Sequence, residues 1–210
     1  MKYELMHPEL LEITCPNGEL AVGGSQDWYP GRWQKLSGCG PTAASNLIWY
    51  MSRTRPGLKT LCDVGAGDYG HFLELMLEFF SHLTPGLKGV NKSWMFIDGI
   101  TRFCAARNMT LGSRALEIPK ELHERPGIDS AGSFITAALQ ADAPLGFLNL
   151  NSGTLADFED WHWVTIIGYD AEETAATITD KGRVQHVDLS EWLKTSKLGG
   201  AMVYLESDIA

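Results

Sequence analysis

The sequence lacks an apolar run of about eighteen residues, the least a helix needs to cross a bilayer. It also lacks a basic stretch that could hold a nucleic acid or an anionic surface, and its formal net charge is −9. The first residues, Met1-Lys2-Tyr3-Glu4-Leu5-Met6-His7-Pro8-Glu9, place acids where a signal peptide needs an apolar core. These absences predict a soluble, cytoplasmic protein whose partners include no nucleic acid and no membrane. Cysteine is sparse. Cys15, Cys39, Cys62 and Cys104 are far apart and form no CxxC pair, which excludes a dense disulfide framework and favours a reducing compartment, with room for one disulfide. His71, His82 and His123 have no second ligand at metal spacing, His186 alternates toward solvent in a strand, and His7 is near the terminus. No metal and no cofactor is implied. There is no internal repeat and no low-complexity segment, and oligomeric state is not legible.

What is present suits one domain with a sizeable core, since 210 residues are 44% hydrophobic. Residues 9–24 read as short strands joined by the Pro16-Asn17-Gly18 turn. Residues 39–53 read as an apolar helix, 70–83 as a second and 93–107 as a third, followed by a short strand near Met109-Thr110-Leu111. The stretch 53–70 reads as a loop. Residues 130–141 read as a helix capped by Asp129 or Ser130. Strands follow at 145–150, 163–167, 176–179, 184–187 and 201–205, with a short helix at 189–193. Helices first and strands later predict an α+β fold: a single domain over 1–210, with a helical lobe about 25–141 and a β lobe about 142–210.

The stretch Leu36-Ser37-Gly38-Cys39-Gly40-Pro41-Thr42 carries the first chemical signal. Cys39 heads the first long helix, where unpaired N–H groups and the helix dipole favour an anion. A thiol in such a position ionises more readily than a free one, and the thiolate is the nucleophile. Pro41 suits a first turn. Gly38 and Gly40 leave room for a substrate backbone to approach the sulfur. A second signal is Asp160-Trp161-His162-Trp163-Val164-Thr165-Ile166-Ile167-Gly168-Tyr169-Asp170, a buried strand ending in a Gly-Tyr-Asp turn. His162 opens that strand, at a cleft edge, as a general base should. Antiparallel pairing of the next strand would return Asp180 to the side of His162, where a carboxylate orients an imidazole.

The ordered set Gly38-Cys39-Gly40-Pro41, His162-Trp163-Val164 with Gly168-Tyr169-Asp170, and then Asp180 resembles the papain-like cysteine peptidases. It is most similar to the bacterial C39-like branch, over about residues 25–180. The resemblance implies a papain-like fold with the nucleophile at a helix N-terminus in the helical half and an antiparallel sheet in the C-terminal half. It implies Cys39 as nucleophile, His162 as general base and Asp180 as its orienter. It also implies an upstream glutamine that completes the oxyanion hole with the Cys39 N–H. Gln34 lies nearer to the cysteine than the family spacing and Gln26 farther. Gln26, in Gly23-Gly24-Ser25-Gln26-Asp27-Trp28-Tyr29, is preferred, because a glycine turn followed by aromatics suits a cleft wall.

Of seven tryptophans, Trp49, Trp94 and Trp192 read as core. Trp28, Trp33, Trp161 and Trp163 flank the candidate catalytic residues, and Trp161, Trp28 and Gly38 are expected to contact substrate. The expected activity is that of a thiol hydrolase, a peptidase or amidase acting on a peptide or other amide or ester through a thioester. Two alternatives stand beside it. One is a papain-like binding module without turnover. The other is a thiol-redox protein, because Cys39-Gly40-Pro41 resembles the thioredoxin-type Cys-Gly-Pro-Cys, although Thr42 replaces its second cysteine.

Overall fold

A computed structural model describes residues 1–62 and 69–207. The chain opens with β1 (Lys2–Glu4) and a hairpin of β2 (Glu12–Thr14) and β3 (Leu20–Val22). Gly18, at φ +83°, makes the turn of that hairpin where the Pro-Asn-Gly sequence expects it. Helices α1 (Arg32–Ser37), α2 (Cys39–Thr54), α3 (Tyr69–Leu83) and α4 (Ser93–Ala105) follow. Then come β4 (Gly112–Ile118), α5 (Ile128–Gln140), β5 (Leu145–Asn149), β6 (His162–Asp170) and β7 (Ala175–Asp180). The chain ends in β8 (Arg183–Asp188), α6 (Leu189–Thr195) and β9 (Gly200–Glu206). The fold is α+β, with a helical N-terminal half and an antiparallel sheet in the C-terminal half. No helix among the described residues is long and apolar enough to cross a membrane.

The main sheet runs β4-β9-β5-β6-β7-β8, all antiparallel, and β1 pairs with the far end of β6. Two of its strands, β1 and β4, lie before residue 142 in the sequence. β6 is long enough for two neighbours on one edge: β5 covers His162–Ile166 and β1 covers Gly168–Asp170. A bulge between Ile166 and Gly168 lies at the handover. Gly-Tyr-Asp is thus strand, not turn. The loop begins at Asp170, whose carboxylate accepts the Glu172 N–H at 3.0 Å.

Helices cover both faces of the sheet. On one, Phe96 of α4 stacks on Trp163 at 4.1 Å between ring centres, and α2 crosses β6. On the other, Trp192 of α6 meets Phe147 edge-on and Phe134 of α5 meets Tyr204. Residues Cys39 to Ser52 of α2 are all buried, as expected of a helix apolar on every side. Burying a large apolar side chain contributes about 1.5–3 kcal/mol, so α2 is the spine of the core.

Several elements differ from expectation. The strand expected near Met109 begins at Gly112, and α1 fills a stretch with no predicted element. α5 starts at Ile128 with Gly127 as N-cap, so neither Asp129 nor Ser130 caps it. Trp94 is 65% exposed rather than core. The stretch 53–70 is helical to Thr54 and a 3-10 turn at Pro56–Leu61, and its part at 63–68 lies outside the described residues. None of the four cysteines is in a disulfide.

The N-terminal segment is clamped to α2 through a buried carboxylate. Asp142 accepts the Tyr50 hydroxyl at 2.5 Å and the Met6 N–H at 2.9 Å, while the Tyr50 oxygen accepts the His7 N–H. Tyr50→Phe removes the first bond and strands the His7 donor. Its urea midpoint is expected to fall by the equivalent of about 1–3 kcal/mol with an unchanged slope; an unchanged midpoint would contradict the clamp.

Candidate active site

Cys39 is the first residue of α2 and is 8% exposed. No side chain caps that first turn. The flanking glycines serve packing. A Cβ on Gly38 would lie 2.3 Å from the Tyr29 ring, and one on Gly40 would lie 2.9 Å from Val90. The space expected for a substrate backbone is filled by the protein itself, and Gly38 is not on the cleft wall. Thr42, at the place of a second cysteine, donates its hydroxyl to the Gly38 carbonyl at 2.8 Å.

His162 enters from the start of β6. Pairing between β6 and β7 ends at Thr165–Thr179, so His162–Val164 have no partner strand on that side. The gap is the pocket, and Asp180 stands at its rim. Lys181 and Gly182, at φ +49° and +75°, form the two-residue turn into β8 that holds Asp180 there. His162 Nε2 donates to Asp180 Oδ1 at 2.7 Å, and the two side chains are only 5% and 13% exposed. That contact leaves Nδ1 for Cys39, whose sulfur adjoins the ring. Burial opposes charge on His162, but hydrogen bonds with Asp180 and Cys39 and the charges of both outweigh it and push the imidazole up to about 10.

The two glutamines separate. Gln34 accepts the Gly31 N–H at 3.0 Å and so closes the start of α1. Gln26 lines the pocket with Cys39, His162 and Asp180, around a cavity of about 10 Å³ that admits a single water. Its amide oxygen is buried and has no hydrogen-bond partner among the described residues. Such an orphan costs about 1–3 kcal/mol.

A strap positions Gln26. The Thr179 hydroxyl donates to the Val22 carbonyl, and the Val22 N–H donates to the Gly182 carbonyl at 2.9 Å. The Gly24 N–H donates to Asn46 Oδ1 at 2.9 Å, and Asn46 Nδ2 donates to Thr165 at 3.0 Å. Gly23 is left-handed at φ +70°, and a Cβ on Gly24 would lie 2.3 Å from Phe72. Asn46 is the site residue that sequence reading missed. Its signal was a lone amide in an otherwise apolar helix, two turns after Cys39.

The tryptophans divide too. Trp161 and Trp33 line an open groove beside Cys39. Trp28 packs against Tyr69 and Phe72 and is not among the residues that line this groove. Trp163 is buried, its indole N–H donating to the Val90 carbonyl. No known protein-family model and no curated protein matches the chain.

A raised imidazole has a signed consequence. The charged ring contributes stability in full below its unfolded value of 6.5, and that contribution is lost as pH rises toward about 10. At pH 8, ring ¹⁵N shifts of His162 are expected to report two protonated nitrogens. Asp180→Asn is expected to lower the titration midpoint by about one to three pH units. A neutral ring at pH 8 in the wild type would contradict this assignment.

Proposed function

We propose that the chain is a papain-like cysteine hydrolase, most similar to the C39-like branch, that cleaves an amide or ester through a thioester. The observation that carries the reading is the convergence of Cys39, His162, Asp180 and Gln26 on one buried pocket, from a helix start, two strand ends and a pinned strap. The Cys39 sulfur attacks the carbonyl carbon and the carbonyl oxygen becomes an oxyanion. The Cys39 N–H is one donor to it. The Gln26 amide, turned over so that its NH₂ replaces the orphaned oxygen, is the other. His162 gives its proton to the leaving amine or alcohol as the carbon–heteroatom bond breaks. Water then attacks the thioester carbon and passes a proton to the ring, and the carbon–sulfur bond breaks to release the acid and the Cys39 thiolate. Asp180 keeps the ring oriented throughout.

The thiol-redox alternative gains nothing from the geometry, since Thr42 holds the resolving position and no cysteine is in a disulfide. A binding module remains the competing outcome of the test. With a panel of activated esters, amides and peptides, hydrolysis is expected to be abolished by alkylation of Cys39. Gln26→Ala is expected to lower turnover by about a hundredfold or more, and Gln34→Ala to leave it near wild type. Alkylation of Cys39 without any turnover across the panel would favour the binding module. Loss of turnover in Gln34→Ala alone would move the oxyanion role.

A further inference from the structure

The described residues expose ten large hydrophobic side chains, and four of them, Trp33, Leu36, Leu87 and Trp161, converge on one groove. Such clustering marks a contact surface, whereas scattered exposure does not. The groove has a volume of about 360 Å³, and Cys39 forms part of its wall. An occupant of the groove therefore lies beside Cys39. Two of the apolar residues are held outward by the backbone. Leu87 is 97% exposed at the tip of a turn that the Gly89 N–H closes on the Gly86 carbonyl at 2.8 Å. Trp161 adopts φ +57°, a region that bulky residues avoid. Its loop is tied down by Asn149, which donates to the Glu159 carbonyl at 2.7 Å, and by Asp160, which accepts from Asn151 and the Ser152 N–H. Lys88 is the one cationic side chain in the lining, among the described residues, and no carboxylate joins it there.

Resting on the hydrolase reading, we propose that this groove selects a bulky, uncharged apolar group next to the carbonyl that Cys39 attacks, and that Lys88 disfavours a cationic one. Trp33 and Trp161 offer ring faces, and Leu36 and Leu87 offer aliphatic contact. A positive group would be drawn from water toward Lys88 with no carboxylate in the lining to offset the repulsion.

The test uses three iodoacetamides with N-methyl, N-(2-naphthylmethyl) and N-(ammonioethyl) tails, each rate at Cys39 being normalised to that with a free thiol. In the wild type the naphthyl reagent is expected to outpace the methyl reagent by about tenfold or more. That ratio is expected to collapse toward one in Leu87→Ser and in Trp161→Ser. The ammonium reagent is expected to be slower than the methyl reagent in the wild type and to recover in Lys88→Glu. A wild-type naphthyl preference near one, or a preference unchanged in both variants, overturns the proposal. The underlying reading is judged separately by the methyl reagent. If His162→Ala alkylates Cys39 as fast as the wild type does, that reading fails and the proposal with it. If His162→Ala is slower, the reading stands and the ratios alone judge the groove.

Discussion

The hydrogen bond of 2.7 Å between His162 and Asp180 is the constraint around which the site is built. A ring this deeply buried stays charged only because a carboxylate and the Cys39 sulfur adjoin it. Without Asp180 the same buried imidazolium would have only the Cys39 sulfur to offset its charge. The bond also assigns the two ring nitrogens. With Nε2 committed to Asp180, Nδ1 is left for Cys39. The pair in turn depends on a sheet detail, the end of β6–β7 pairing at Thr165–Thr179. One more residue of ladder would fill the gap in which the three side chains meet.

The remaining polar groups near the site place Gln26. Asn46 bridges α2 to Thr165 and to the Gly24 N–H, and Thr179 grips the Val22 carbonyl. These bonds join the helix, the sheet and the strap, so a shift of one shifts the others. The packing around them is tight. Gly38 sits under Tyr29, Gly24 under Phe72 and Gly40 under Val90, each too close for a Cβ. Glycines at a nucleophile are readily taken for substrate clearance; here they admit aromatic and aliphatic side chains that fix the helix start.

Elements governed by near neighbours in sequence were legible. Gly-Cys-Gly-Pro followed by an apolar run announced α2 with Cys39 at its head. The Asp-Lys-Gly turn, with both central residues at positive φ, brought Asp180 to the rim beside His162. Elements governed by distant pairing were not legible. β1 and β4 are short or half-exposed and join the sheet only because β6 and β9 offer free edges. Trp94 and Trp28 show the same limit, since residue type alone says neither that a tryptophan is buried nor against what. Gln34 and Gln26 could be told apart only by where their amides end: one closes a helix start and the other faces the pocket. The papain-like resemblance rested on short motifs in order.

The central claim is that Cys39 and His162 act as one nucleophilic unit, and trapping the acyl-enzyme tests it most directly. The wild type and His162→Ala are mixed with an activated acyl ester, quenched in acid within seconds, and read by intact mass and peptide mapping. The account predicts a single acyl adduct on Cys39 that forms in the wild type, decays as hydrolysis proceeds, and is absent or strongly slowed in His162→Ala. Equal acylation of Cys39 in both proteins, or acyl groups spread over the other cysteines and lysines, would contradict it.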